Sequence, residues 1–210
     1  IEQTIQKAIY MTDNILIDGL CFGEGPRFRD GHLWLSDMHA RRVLKVHPNG
    51  SAETVVEIPD DDPSGLGWLP NGDLLIVGMR QKKLMRFDGS NLSDYADLSA
   101  LASGYCNDMV VDAHGRAYVG NFGFDLHNRA PQAPAEIILV ETDGRARVVE
   151  DNVIFPNGTV ITPDAKTLIV GETFASKLTA FDLQADGSLT NKRLWAELPD
   201  RAVPDGICLD

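Results

Sequence analysis

The stretch Gly65–Gly89 reads GLGWLPNGDLLIVGMRQKKLMRFDG. Leu66–Trp68 is a short apolar run, Pro70-Asn71-Gly72 a turn, Leu74–Val77 a second apolar run and Lys83–Phe87 a third, closed by Asp88-Gly89. Asn-Gly and Asp-Gly between apolar runs are the strongest short hairpin signals, so the stretch predicts a three-stranded meander. The pattern recurs. Gly25–Gly50 reads GPRFRDGHLWLSDMHARRVLKVHPNG, and Gly158–Gly187 reads GTVITPDAKTLIVGETFASKLTAFDLQADG. A third copy opens with DMVVDAHGRAYVGNF at Asp108 and closes with IILVETDG at Gly144, and GICLD starts again at Gly206. Successive starts lie 40 to 50 residues apart, with polar connecting strands at Ala52–Ile58 and Ala146–Val149. Three or four short strands per repeat of this length describe the blade of a β-propeller. Asn91–Ala102 has room for a helical turn but reads better as a blade connection.

Composition narrows the rest. The chain has 210 residues, 43% hydrophobic and 24% charged, an ordinary globular balance with enough chain for one substantial core. A net charge of −12 without a basic run argues against nucleic-acid binding. No window approaches the apolar length of a transmembrane helix. Ile1–Tyr10 lacks the apolar centre of a secretory leader. Cys21, Cys106 and Cys208 lie far apart, which suits buried thiols in a reducing compartment. The expectation is a cytoplasmic protein with neither nucleic-acid nor membrane partners, its residues 1–210 forming one C-terminally incomplete propeller domain.

One position in each repeat carries chemistry. The residues just before the aligned starts are Glu24, Ser64, Asn107, Asn157 and Asp205. The innermost strands of a propeller surround a common axis, so residues in this phase form a ring. Carboxylate and amide oxygens directed at one point suit a hard divalent cation, whose remaining positions water or a substrate oxygen can fill. The ring has no His or Cys, unlike a typical structural zinc site. Elsewhere the polar residues read as ordinary. His32, His39, His47, His114 and His127 show no ligand-like spacing, and Asp60-Asp61-Asp62 reads as a solvated blade connection.

Five segments then acquire a common meaning: GEGPRF at Gly23–Phe28, NDMVVDAHGRAYVG at Asn107–Gly120, FPNGTVITPDAKTLIVGET at Phe155–Thr173, LTAFDLQADGSL at Leu178–Leu189 and VPDGICLD at Val203–Asp210. In this order, from about Leu20 onward, the chain resembles the gluconolactonase/regucalcin family, which includes luciferin-regenerating enzyme. The resemblance implies an all-β, six-bladed β-propeller, of which this chain holds about four blades and the start of a fifth. It implies one divalent metal ion at the channel mouth, calcium first, with zinc, magnesium or manganese as alternatives. Glu24, Asn157 and Asp205 match the family's metal ligands, and Asn107 matches a fourth position that contacts metal, water or substrate. The implied activity is hydrolysis of a small-molecule lactone of the sugar-lactone class, with Asp205, then Glu24, as catalytic base. The alternatives are a phosphotriesterase of diisopropylfluorophosphatase type and a non-catalytic calcium-binding propeller. Tyr105 stands where sugar-lactone members commonly carry arginine, which implies a less hydroxylated or aromatic lactone. Tyr105, Asn107, Asn121 and Asp125 are the candidate substrate-binding residues. The oligomeric state stays open.

Overall fold

The computed structural model describes residues 15–199 and 201–209, so Ile1–Tyr10 and Asp210 lie outside the described residues. Each repeat folds into its own four-stranded antiparallel meander. Blade one comprises β1 (Gly23–Arg29), β2 (His32–Asp37), β3 (Arg42–Val46) and β4 (Ala52–Glu57). Blade two comprises β5 (Pro63–Trp68), β6 (Leu74–Gly78), β7 (Lys83–Phe87) and β8 (Leu92–Asp97). Blade three comprises β9 (Cys106–Val111), β10 (Ala117–Asn121), β11 (Ala135–Val140) and β12 (Ala146–Val153). Blade four comprises β13 (Pro156–Ile161), β14 (Thr167–Glu172), β15 (Lys177–Leu183) and β16 (Leu189–Glu197). The innermost strands follow one another around the axis, β1 against β5, β5 against β9 and β9 against β13. The described residues thus form an all-β propeller array of four blades, with short 3₁₀ turns at Met38–Ala40 and Thr173–Ala175.

Three expectations need correction. The connection at Asn91–Ala102 contains β8, a full outer strand, because Leu92–Asp97 pairs with β7. The GICLD segment forms no strand among the described residues. The residues just before it are bonded to blade four, where Gly158 N–H donates to Asp205 O at 3.0 Å and Thr173 Oγ1–H donates to Pro204 O at 2.8 Å. Of the three thiols only Cys106 is buried; Cys21 and Cys208 are exposed.

The core lies between blades. Val43, Leu66, Leu74, Ile76 and Met85 fill the seam of blades one and two. Leu75, Leu84, Met109, Val119 and Ile138 fill the next seam, and Tyr118, Leu139, Leu168, Val170 and Phe181 the last. Each such side chain contributes about 1.5–3 kcal/mol by leaving water. Alternation along the strands therefore buries one face of each blade against its neighbour.

Close approach of the inner strands explains the residue after each ring position. Gly25, Gly65 and Gly158 follow Glu24, Ser64 and Asn157. A Cβ on Gly25 would lie 2.8 Å from Ser64 O, and one on Gly65 2.7 Å from Met109 N. A Cβ on Gly158 would overlap Asp205 O. Blade three has Asp108 instead, and its carboxylate occupies the space that Gly65 leaves free.

A second device holds the loop entering each blade. The Asp37 carboxylate accepts from Cys21 N–H at 2.8 Å and Phe22 N–H at 3.1 Å. Asn121 Oδ1 accepts from Gly104 N–H at 3.0 Å and Gly123 N–H at 2.9 Å. Glu172 Oε2 accepts from Ile154 N–H at 2.7 Å. All three end the second strand of their blade. Blade two ends that strand with Gly78, and the buried Asp61 fills its place, accepting from Arg80 N–H at 2.9 Å. Asp60-Asp61-Asp62 is therefore not a solvated run: Asp61 is a loop anchor inside the protein.

Candidate active site

Four of the five ring residues converge on one cavity. Glu24, Asn107, Asn157 and Asp205 line a space of about 330 Å³ at the channel mouth, together with Tyr105. Glu24, Asn107 and Asn157 are each the second residue of their strand, β1, β9 and β13, and Asp205 is delivered by the segment bonded to Gly158. Asn107 and Asn157 are buried, Glu24 is half-buried and Asp205 is exposed. Ser64, the fifth ring residue, is also buried, and its Oγ has no hydrogen-bond partner among the described residues. It does not line the cavity.

The electrostatics are those of an anion-rich site. The Glu24 carboxyl is raised to about 7, first by burial, then by the neighbouring Asp205 and Asp108 carboxylates. Asp108 is itself buried, which pushes its carboxyl up against the counteracting pull of Arg27. Arg27 bridges β1 to β9, donating to Asp108 Oδ1 at 2.6 Å and to Met109 O at 2.8 Å.

The residues fit a hard cation. Asn107 Nδ2 donates to Pro156 O at 3.4 Å, and Asn157 Nδ2 donates to Thr173 Oγ1 at 3.3 Å. Both amides thus spend their N–H groups on the protein, which leaves their Oδ1 atoms as acceptors. With the Glu24 and Asp205 carboxylates they make an oxygen set of the kind calcium takes. Among the described residues no group of three or more His, Cys, Asp and Glu side chains is placed to hold a metal. The amide oxygens are what distinguish this set.

Two candidate residues lie elsewhere. Asn121 is fully buried and committed to the loop anchor, with Nδ2 donating to Glu136 O at 3.0 Å. Asp125 lines a separate space of about 150 Å³ beside the mouth. Its carboxylate accepts from Asn128 Nδ2 at 2.7 Å, and such bonds from Asn128 hold it below the usual carboxylate range.

The sequence reading missed the apolar wall. Met38, Met79, Phe122 and Thr173 all line the cavity, and each directly follows the second strand of its blade. That shared phase was available in the sequence as a second ring above the first. Phe22, Phe155 and Phe174 complete the wall, with Phe122 stacked on Phe155 at 4.4 Å between ring centroids. His39 and His127 also reach the mouth, and His127 lies 5.2 Å from the Tyr105 ring.

The model of the SMP-30/gluconolactonase/LRE-like region matches residues 22–210. The chain belongs to this family. Lactonase drp35 of Staphylococcus epidermidis is 27% identical over 199 residues, covering 89% of this chain and 60% of that protein. Diisopropyl-fluorophosphatase of Loligo vulgaris is 25% identical over 179 residues, covering 76% of this chain and 56% of that protein. The chain therefore spans about 60% of the length of the curated relatives it matches. A solved gluconolactonase from Xanthomonas campestris superposes with a TM-score of 0.78 at 25% identity, covering 93% of this chain and 69% of that one. Among the described residues no helix is long and apolar enough to cross a membrane.

Proposed function

We propose that the protein is a metal-dependent hydrolase that opens a lactone ring, its site built into a ring of six blades. The observation that carries this reading is the convergence of Glu24, Asn107, Asn157 and Asp205 on one cavity. These four residues would hold one divalent cation, calcium by the hardness of its donor set. When bound, the cation supplies Lewis-acid polarisation of the substrate carbonyl and offsets oxyanion charge. Asp205, which faces solvent, takes the proton of the attacking water on a carboxylate oxygen and returns it to the ring oxygen as the acyl bond breaks. The product is the open hydroxy acid. Glu24 is the second candidate for the base. Asn107 and Asn157 orient the site without adding charge, their Nδ2 groups fixed by Pro156 and Thr173.

The wall supports a substrate with an apolar or aromatic body. Phe22, Phe122, Phe155, Phe174 and Tyr105 face the same space as the acidic pair. Aromatic faces bind apolar and aromatic surface well. The squid relative supports a second reading, phosphotriester hydrolysis at the same site.

The test is metal content together with hydrolysis of aliphatic, aromatic and sugar lactones and a phosphotriester. One bound divalent ion is expected, with lactone turnover lost on chelation and restored by calcium. Glu24→Gln and Asp205→Asn should lose metal and turnover together. Turnover of the phosphotriester alone would select the second reading, and a bound ion without any turnover would select a binding propeller. Full activity in Asp205→Ala would overturn the assignment of the base.

A further inference from the structure

By spacing alone no two histidines form a pair, but the fold brings two together. β2 and β3 pair Leu33 with Val46. The next position outward sets His32 across from His47, at the tips of two neighbouring hairpins. His32 Nε2 lies 3.1 Å from His47 Nδ1, with the ring planes at 85°. Both backbones are fixed. Asp30 (φ 49°) and Gly31 (φ 76°) form a two-residue turn with both φ values positive, immediately before His32. His47 N–H donates to Ser51 O at 2.8 Å, and His47 O accepts from Gly50 N–H at 2.9 Å.

The protonation of the pair follows from its partners. His32 Nδ1 lies 2.7 Å from the Asp30 carbonyl oxygen. A carbonyl only accepts, so the proton sits on Nδ1 and the neutral ring presents a lone pair at Nε2. This backbone anchor is the arrangement that commonly orients a metal-binding histidine. His47 Nδ1–H then fills the gap as a donor, and moving that proton to Nε2 frees a second lone pair with no net proton released.

We propose that His32 and His47 form a second cation site, for a borderline divalent transition ion. Two nitrogens each about 2.0–2.1 Å from one ion lie about 2.9 Å apart when cis in a square plane and about 3.4 Å apart at the tetrahedral angle. The observed 3.1 Å falls between these values. Both rings are half-exposed and can turn about their Cβ–Cγ bonds to converge. Among the described residues no third His, Cys, Asp or Glu joins them as a ligand group. Water or an outside ligand completes the coordination, and Cu2+ binds more tightly than Ni2+ or Zn2+. The site lies at the opposite end of β2 from Ser36, the partner of Glu24, about 13 Å along the strand. Its imidazole donors select softer ions than the channel oxygens do, so the proposal is independent of the hydrolase reading.

The test is Cu2+ titration of the protein in excess calcium, which occupies the channel oxygens, read by electron paramagnetic resonance. One Cu2+ with coupling to two nitrogens is expected. His32→Asn or His47→Asn should each weaken binding by more than about tenfold. His114→Asn, at an exposed turn histidine, should leave the signal unchanged. Circular dichroism confirms that each variant is folded. A two-nitrogen signal that persists in the double variant, or no such signal in the wild type, overturns the proposal.

Discussion

Replacing Gly158 with alanine sets a methyl group against the backbone that carries Asp205. The new Cβ would overlap Asp205 O and Ile207 N and lie 2.8 Å from Gly206 C. All three are backbone atoms, so no flexible side chain can yield. Gly158 does not have a positive φ, so the penalty is steric and not conformational. Ordinary contact requires the 205–207 segment to retreat by about 1 Å, at an overpacking cost of about 1–3 kcal/mol. Its hydrogen bond to Gly158 N–H weakens as it moves. The segment is pinned by few bonds while β13 is buried on both sides, so the segment moves and the core stays. Asp205 then leaves its position relative to Glu24, and a shift of this size lowers turnover by about 10²-fold. Gly171→Ala is the internal control. Its Cβ would meet Pro204 Cβ at 3.4 Å and Asp205 O at 3.6 Å, ordinary contacts on the neighbouring strand. Calcium affinity by calorimetry and thermal unfolding with and without calcium should separate the two variants. Gly171→Ala should behave as wild type within about 0.5 kcal/mol. Gly158→Ala should lose most of the calcium-induced stabilisation. Wild-type calcium affinity in Gly158→Ala would refute the reasoning.

Three further outcomes are expected. A thiol reagent at pH 8 should label Cys21 and Cys208 rapidly and leave Cys106 until unfolding, because burial pushes the Cys106 thiol up to about 12. Asp37 is buried, which alone would raise its carboxyl, but hydrogen bonds from Phe22, Arg42 and Cys21 hold it below its usual range. Its stabilisation is therefore complete above the unfolded carboxylate value near 3.9 and is lost as pH falls through the lower folded value; urea titrations should show a shallower acid decline for Asp37→Asn than for wild type. Asn121→Ala removes the acceptor for Gly104 and Gly123 N–H and should cost about 2–3 kcal/mol by thermal unfolding, without altering the Ca2+ affinity of the folded protein.

Local chemistry made the blades legible. Turn pairs such as Asn71-Gly72 and Asp88-Gly89, flanked by apolar runs, close hairpins, and their recurrence set the phase of the ring, although Asn157-Gly158 lies inside β13. That phase singled out Glu24, Asn107, Asn157 and Asp205 before any coordinates, because one repeat position maps to one radius in a propeller. The same phase also placed Ser64 in the ring, and there it misled: its hydroxyl lies buried away from the cavity. Asn121 misled because a polar residue ending the second strand of a blade has two uses, facing the channel or tying down a loop. Only the backbone N–H groups of Gly104 and Gly123 decide between them. Asp61 misled for the same reason, its neighbours in sequence being charged and its neighbours in space being amides. The aromatic wall and the His32–His47 pair are tertiary in origin. Phe22, Phe155 and Phe174 join the wall from outside the repeat phase that places Met38, Met79, Phe122 and Thr173, and His32 and His47 meet across neighbouring hairpin tips of one blade; no local pattern names which of these side chains share a surface. The sequence by itself determined the strands, the repeat and the oxygen ring. The packing of one blade on the next decided what surrounds that ring, because side-chain burial depends on neighbours the chain meets only once its blades have packed together.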